Sequence, residues 1–263
     1  MYSFEHKKAD SVANAAALLA QTNGKLLAGG QSLVAAMKLR LSQPGTLVDL
    51  SGIRELHGIR REGDHVVIGA MTRHAEVAAS KEVQAAIPAL AALAEGIGDR
   101  QVRNMGTIGG SIANNDPASD YPAAVVALNA IVNTSKRKIA ADDFFKGLYE
   151  TALADDEIIT SVSFPVAKKA AYVKFPQPAS RFALVGVFVA QTSTGVRVAV
   201  TGAGPCVFRA KSLEDALAKS FTADSAKGVR IAPAGLNNDI HGSAEYRGHL
   251  VSVLASRAVT AAG

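Results

Sequence analysis

The chain has 263 residues, 48% of them apolar and 19% charged, which suits a large buried core and excludes a disordered chain. Its longest apolar runs, such as Phe182–Ala190, have strand length and fall well short of the about 20 residues that span a bilayer. The net charge of +5 is diffuse and there is no tryptophan, so little is available to stack bases on, and nucleic-acid binding is not expected.

In chain order, Ser11 is placed to cap a helix through Val12, Ala15, Ala16 and Leu19, with Gly24 as its stop. Lys25 to Ala28 reads as a short strand, and Gly29-Gly30-Gln31 as a turn. Ser32 is placed to cap a second helix to about Arg40, and Thr46 to Leu50 reads as a strand, completing a βαβ-like unit. His65 to Ala70 follows as a strand, Thr72 to Ala79 as a short helix, and Val83 to Glu95 as a helix interrupted near Pro88. Asp99 to Asp120 shows no sustained period and is read as a functional loop rich in Gly, Asn and Asp. Tyr121 to Leu128 reads as helix, with strands near Ile131–Thr134 and Ile158–Phe164. Composition shifts after Pro165, which suggests one domain over 1–165 and a smaller one over 170–263. The second holds strands at Ala171–Phe175, Phe182–Thr192 and Val196–Ala203, and a last amphipathic helix from Ser243 to Ala262.

Several chemistries are excluded. A single cysteine, Cys206, permits no intrachain disulfide and no iron–sulfur cluster, which takes about four thiolates. Six scattered histidines form no HExxH or other metal-ligand spacing. There is no P-loop, and Val207 stands where GxGxxG would need its third glycine after Gly202 and Gly204. Gly109-Gly110-Ser111-Ile112-Ala113 misses the nucleophile-elbow pattern at its last position. The first residues carry no apolar stretch behind their charges, so a cytoplasmic location is expected.

Two glycine-rich stretches remain. In Ala28-Gly29-Gly30-Gln31-Ser32-Leu33, glycines between strand and helix let backbone amides approach an anion, or make an ordinary tight turn. Asn104 to Asp116 interleaves Gly106, Gly109 and Gly110 with Asn104, Thr107, Ser111, Asn114 and Asn115, enough donors for a second anion-binding nest or for a solvated connection. Two such loops closing on one diphosphate would explain both. Asp116 and Asp120 suit capping or hydroxyl bonding better than a catalytic pair.

The segment from Ala28 to Leu33, followed by the run from Arg103 to Pro122, resembles the FAD-binding (medium) subunit of the molybdenum hydroxylase family. That family includes carbon monoxide dehydrogenase medium chains and xanthine dehydrogenase FAD-binding subunits. The likeness continues through Ala141–Phe145, Glu157–Ile159 and Lys174 to Gly186, and so covers essentially the whole chain. It implies an α+β fold: a VAO/PCMH-type FAD-binding domain of two subdomains (about 1–54 and 55–165), then a small C-terminal domain of antiparallel sheet and helices. It also assigns cofactor contacts. Lys25, Leu26, Leu27, Ala28, Gly29, Gly30, Gln31, Ser32 and Leu33 would hold the FAD diphosphate. Asn104, Thr107, Ile108, Gly110, Ser111, Asn114, Asp116 and Asp120 would add further contacts, Asp120 as an acceptor for sugar hydroxyls. Ile97 and Ile159 would be apolar neighbours of the flavin, Lys174 would lie near its ring, and Phe182 stands where some relatives place a tyrosine over it.

The resemblance implies no catalytic side chain and no metal in this chain. A large subunit with a molybdenum cofactor would oxidise substrate, a small subunit with [2Fe–2S] clusters would relay electrons, and this chain's FAD would pass them to an external acceptor. A dimer of heterotrimers is the implied assembly. A free-standing FAD reductase of the same fold and a cofactor-free scaffold subunit are the alternatives.

Overall fold

The computed structural model describes all 263 residues. Its first layer is a parallel three-stranded sheet. Strands β1 (Glu5–Lys8), β2 (Lys25–Leu27) and β3 (Thr46–Asp49) pair in the order β1-β3-β2, linked through helices α1 (Val12–Thr22) and α2 (Leu33–Lys38). Ser11 caps α1 by accepting from the Asn14 amide. The helix ends on Asn23, whose φ of 48° makes the left-handed turn, and not on Gly24. Gly24 is bare for a different reason, because a Cβ there would lie 2.8 Å from the Thr46 carbonyl oxygen. The sequence pattern does not reveal β1, since Glu-His-Lys-Lys is a charged, mostly exposed edge strand with no apolar alternation.

A 3-10 turn at Arg54–Leu56 leads into a second, antiparallel sheet. It comprises β4 (Ile59–Glu62) and β5 (His65–Gly69), then, beyond a run of helices, β6 (Ile131–Thr134), β7 (Lys138–Ala140) and β10 (Ile159–Pro165), ordered β4-β5-β10-β6-β7. The intervening helices are α3 (His74–Ala79), α4 (Lys81–Ala86), α5 (Pro88–Glu95), α6 (Arg100–Met105), α7 (Ile108–Asn114) and α8 (Tyr121–Ala127). A short helix α9 (Ala141–Phe144) and the hairpin β8 (Phe145–Gly147) and β9 (Glu150–Thr151) close this part. The expected loop from Asp99 to Asp120 is therefore corrected: most of it is two short helices, and only Asn115 to Asp120 remains a turn. Their capping side chains are Asp99, which accepts from the Val102 amide, and Thr107, which accepts from the Gly110 amide. Each helix is under two turns long, too short for a hydrophobic period to show in the sequence.

The third sheet is antiparallel, β11 (Lys169–Pro176), β12 (Ala183–Thr192), β13 (Gly195–Thr201) and β14 (Phe208–Arg209), followed by α10 (Lys211–Lys219), α11 (Ala223–Lys227) and α12 (Ala244–Ala261). Residues Ala183 to Ala190 of β12 are all buried, because the strand is covered on both faces. Val185, Val187 and Val189 face α10 and α12, while Phe188 and Ala190 join the core of the preceding part with Leu90, Leu93 and Val125. The same junction carries charge. Buried Arg197 donates to the Val126 carbonyl at 2.8 Å and to Asp142, and Arg209 bridges Asp142 and Glu214.

Candidate functional site

The first glycine stretch leaves β2 and enters α2. None of the six backbone amides from Ala28 to Leu33 donates to a protein acceptor. Gly30 makes this possible with a φ of 71°, a conformation that turns successive amides to one side. Gln31 folds its side chain back to the Gly29 carbonyl. Ser32 occupies the first position before α2 but caps nothing, which corrects the expectation for it, and its hydroxyl stays exposed and unengaged. Such a row of free amides is chemistry for an anion rich in oxygen acceptors.

The second stretch touches the first. A Cβ on Gly29 would sit 2.1 Å from the Met105 carbonyl oxygen and 2.8 Å from the Gly106 Cα, and one on Gly110 would sit 3.5 Å from the Ala28 Cβ. The two stretches thus pack against each other. They do not share a role. The amides of Ile108, Gly109, Gly110 and Ser111 donate to Thr72, Ala70, the Thr107 hydroxyl and Thr107 respectively. The expected second nest is therefore replaced by a helix that offers side chains. Gly110, Ser111 and Asn114 form its half-buried stripe, and neither the Ser111 nor the Asn114 side chain makes a hydrogen bond within the protein. Ile108 and Ile112 point the other way, into the core.

Behind the junction lies His74, which the sequence does not single out. Its ring fills the space a Cβ on Gly106 would take, 2.6 Å from Nε2. Burial, with the Arg103 guanidinium beside it, pulls its imidazole down to about 4, so it is neutral at pH 7. Its ring packs against that of buried Tyr121, with centroids 5.3 Å apart.

Helix α6, six residues and about 9 Å long, leads from this junction to Ile97 and Gly98. There the third sheet docks on the chain at Gly96 and Gly98. Lys174 of β11 donates to the Gly96 carbonyl at 2.8 Å and to both oxygens of Asp120 at 3.0 and 3.1 Å, and Arg181 donates to the Gly98 carbonyl. Tyr172 donates to Asp120 Oδ1 at 2.5 Å. Asp120 is 5% exposed, and burial pushes its carboxyl up against the opposing pull of Lys174 and Tyr172. Burial, then the Asp120 charge, holds the Tyr172 phenol well above its ordinary range, so it acts as the donor.

The remaining expected residues spread out. Lys25 is exposed on β2, and Leu26 and Leu27 are half-buried. Asn104 is exposed and lines a cavity of about 480 Å³ with Ala75, Glu95 and Arg103, none of them in the glycine loop. Asp116 accepts from the Ala118 amide and the Tyr149 hydroxyl, a turn-holding role of the kind expected for loop aspartates. Ile159 lies in the core, Ile97 is half-buried against it, and Phe182 is 45% exposed at the tip of the β11–β12 hairpin. The structure brings Gly29 against Met105 and Gly106, Ala28 against Gly110, and Lys174 against Asp120 and the Gly96 carbonyl beside Ile97.

A family profile described as the FAD binding domain in molybdopterin dehydrogenase matches residues 2–167. The chain is 37% identical to the carbon monoxide dehydrogenase medium chain of Hydrogenophaga pseudoflava, over 98% of this chain and 96% of that one. It is also 37% identical to the nicotine 6-hydroxylase medium subunit of Paenarthrobacter nicotinovorans, over 92% and 90%. Among solved structures it superposes on a carbon monoxide dehydrogenase chain from Hydrogenophaga pseudoflava with a TM-score of 0.90 and 38% identity, covering 99% of this chain and 97% of that one. It also superposes on quinoline 2-oxidoreductase from Pseudomonas putida 86, with a TM-score of 0.89 and 27% identity, over 99% and 97%.

Proposed function

This chain belongs to the family of FAD-binding domains of molybdopterin dehydrogenases, and from that membership we propose that it works as an electron relay. As an oxidoreductase component and FAD-binding medium subunit, it is one part of a molybdenum hydroxylase-type complex. In the proposed relay, [2Fe–2S] clusters of a small partner subunit deliver electrons, a large molybdopterin subunit oxidises the substrate, and an external acceptor receives the electrons here. The proposed assembly is a dimer of heterotrimers in the cytoplasm. No helix of this chain is long and apolar enough to cross a membrane. In the proposed division of labour, 1–165 holds FAD and 170–263 covers one end of its site.

The observation that carries this reading is the run of six unengaged amides from Ala28 to Leu33, packed against the helix that carries the unengaged Ser111 hydroxyl and Asn114 side-chain amide. These donors fit a diphosphate and its neighbouring hydroxyls. Ser111 and Asn114 would hold the adjoining sugar or ribityl hydroxyls. Ile97 would shield one edge of the ring from water, and the Lys174 ammonium would lie beside it. Asp120 already holds three bonds from Tyr172 and Lys174, so its proposed part is to fix that ammonium more than to bind a sugar. A bound flavin supplies one- and two-electron redox chemistry. No side chain of this chain has to attack a substrate or give it a proton.

Purification with the partner subunits and a visible spectrum test the proposal. Flavin bands together with iron–sulfur absorption and a large subunit are expected. Flavin in an active isolated monomer would point instead to a free-standing reductase, and a colourless complex to a scaffold.

A further inference from the structure

Tyr172 and Lys174 stand two residues apart on β11, so both project from one face of the third sheet toward the start of α8. The facing strand β12 leaves room for this. Lys174 pairs with Gly186 and Tyr172 with Phe188. A Cβ on Gly186 would lie 2.2 Å from the Tyr172 hydroxyl oxygen and 2.9 Å from Thr201 Cγ2, so only a bare position lets the phenol lie across the strand and reach Asp120. The Tyr172 ring is stacked on Phe188, with centroids 6.1 Å apart and planes 29° from parallel, which fixes its direction.

A carboxylate bonded only to a lysine can rotate, and the ammonium swings with it. Here Oδ1 accepts from both Tyr172 and Lys174, while Oδ2 accepts from Lys174 alone. The phenol therefore locks the carboxylate, and the locked carboxylate holds the ammonium against the Gly96 carbonyl, next to Ile97. We propose that Tyr172 is a positioning residue: through Asp120 it fixes the Lys174 ammonium beside Gly96 and Ile97, next to the proposed flavin ring, and so sets how readily the bound flavin is reduced. This rests on the FAD reading above. Reduction adds negative charge to the flavin, and a fixed cation beside it favours that charge, while an unlocked carboxylate beside it opposes it.

The test is a spectroelectrochemical titration of the purified complex, with FAD content measured alongside. Tyr172→Phe keeps the wild-type FAD content and makes two-electron reduction about tenfold less favourable, about 30 mV. Lys174→Met shifts it further in the same direction. Gly186→Ala displaces the phenol with every charged group in place, and gives a shift of the same sign as Tyr172→Phe. Where Gly186→Ala does not fold, Tyr172→Phe decides alone. Full FAD with an unmoved potential in Tyr172→Phe overturns the proposal and leaves the relay reading intact. Loss of FAD from a folded Tyr172→Phe also overturns it, because Tyr172 would then serve retention. A wild-type complex without FAD overturns the relay reading and this proposal together.

Discussion

The two glycine-rich stretches have similar composition and opposite use. From Ala28 to Leu33 the glycine backbone keeps six amides free. From Gly106 to Ser111 all but the Thr107 amide are engaged, and the glycines serve closeness: a Cβ on Gly109 would lie 2.6 Å from the Ala70 Cβ and 2.7 Å from its carbonyl oxygen. One stretch is bare so that a ligand can approach, and the other so that the protein can approach itself. Glycine content alone does not distinguish these. The fate of the amides does.

The difference can be pressed hardest at Gly109. Replacing it with Val drives a side chain into backbone that cannot give way, and costs about 3 kcal/mol or more in denaturant unfolding of the FAD-free protein. A smaller loss would show that α7 is not tightly seated.

The same packed junction sets an acid limit through His74. Its folded pKa of about 4 lies below the ordinary imidazole value of 6.5, so the unfolded chain binds the proton first. This contribution is complete above pH 6.5 and is lost as the pH falls toward 4, by up to about 3 kcal/mol. Unfolding free energies measured from pH 7 to pH 4 check it, with His74→Gln expected to flatten the profile. An equally steep profile in that variant would assign the limit elsewhere.

At the open loop the balance between stability and binding reverses. Gly30→Val places a branched side chain at a φ of 71° against Val34, costing about 1–2 kcal/mol, yet it turns the amides and abolishes FAD retention. Flavin stoichiometry and unfolding on one preparation separate the two effects. Full FAD in this variant would remove the loop's assigned role.

The hydroxyls give the finest distinction. Thr107→Ala removes a working cap and costs about 1 kcal/mol, whereas Ser32→Ala stays within about 0.5 kcal/mol because Ser32 caps nothing. Equal costs would mean that Ser32 does cap α2.

Much of the arrangement was legible from residue order. The parallel pairing of β2 with β3 follows from strand, glycine turn and helix between Lys25 and Leu50, and α12 follows from its Ser243 cap and apolar face. Charged strands were hidden. β4, Ile-Arg-Arg-Glu, exposes three of its four residues and carries no alternation. The helices α6 and α7 were hidden by brevity. In the site, the meeting of the two stretches was readable from their shared chemistry, but the contribution of Tyr172 was not. Its partner Asp120 is 52 positions away, and the gap that admits its hydroxyl is a glycine on another strand. Such a contact exists only once the third sheet has docked.

Amide hydrogen exchange with and without FAD tests the central claim most directly. The amides from Ala28 to Leu33 should exchange freely in the FAD-free protein and become strongly protected on binding, while those of Ile108 to Ser111 stay slow in both states. Unchanged exchange from Ala28 to Leu33 in the presence of bound FAD would contradict it.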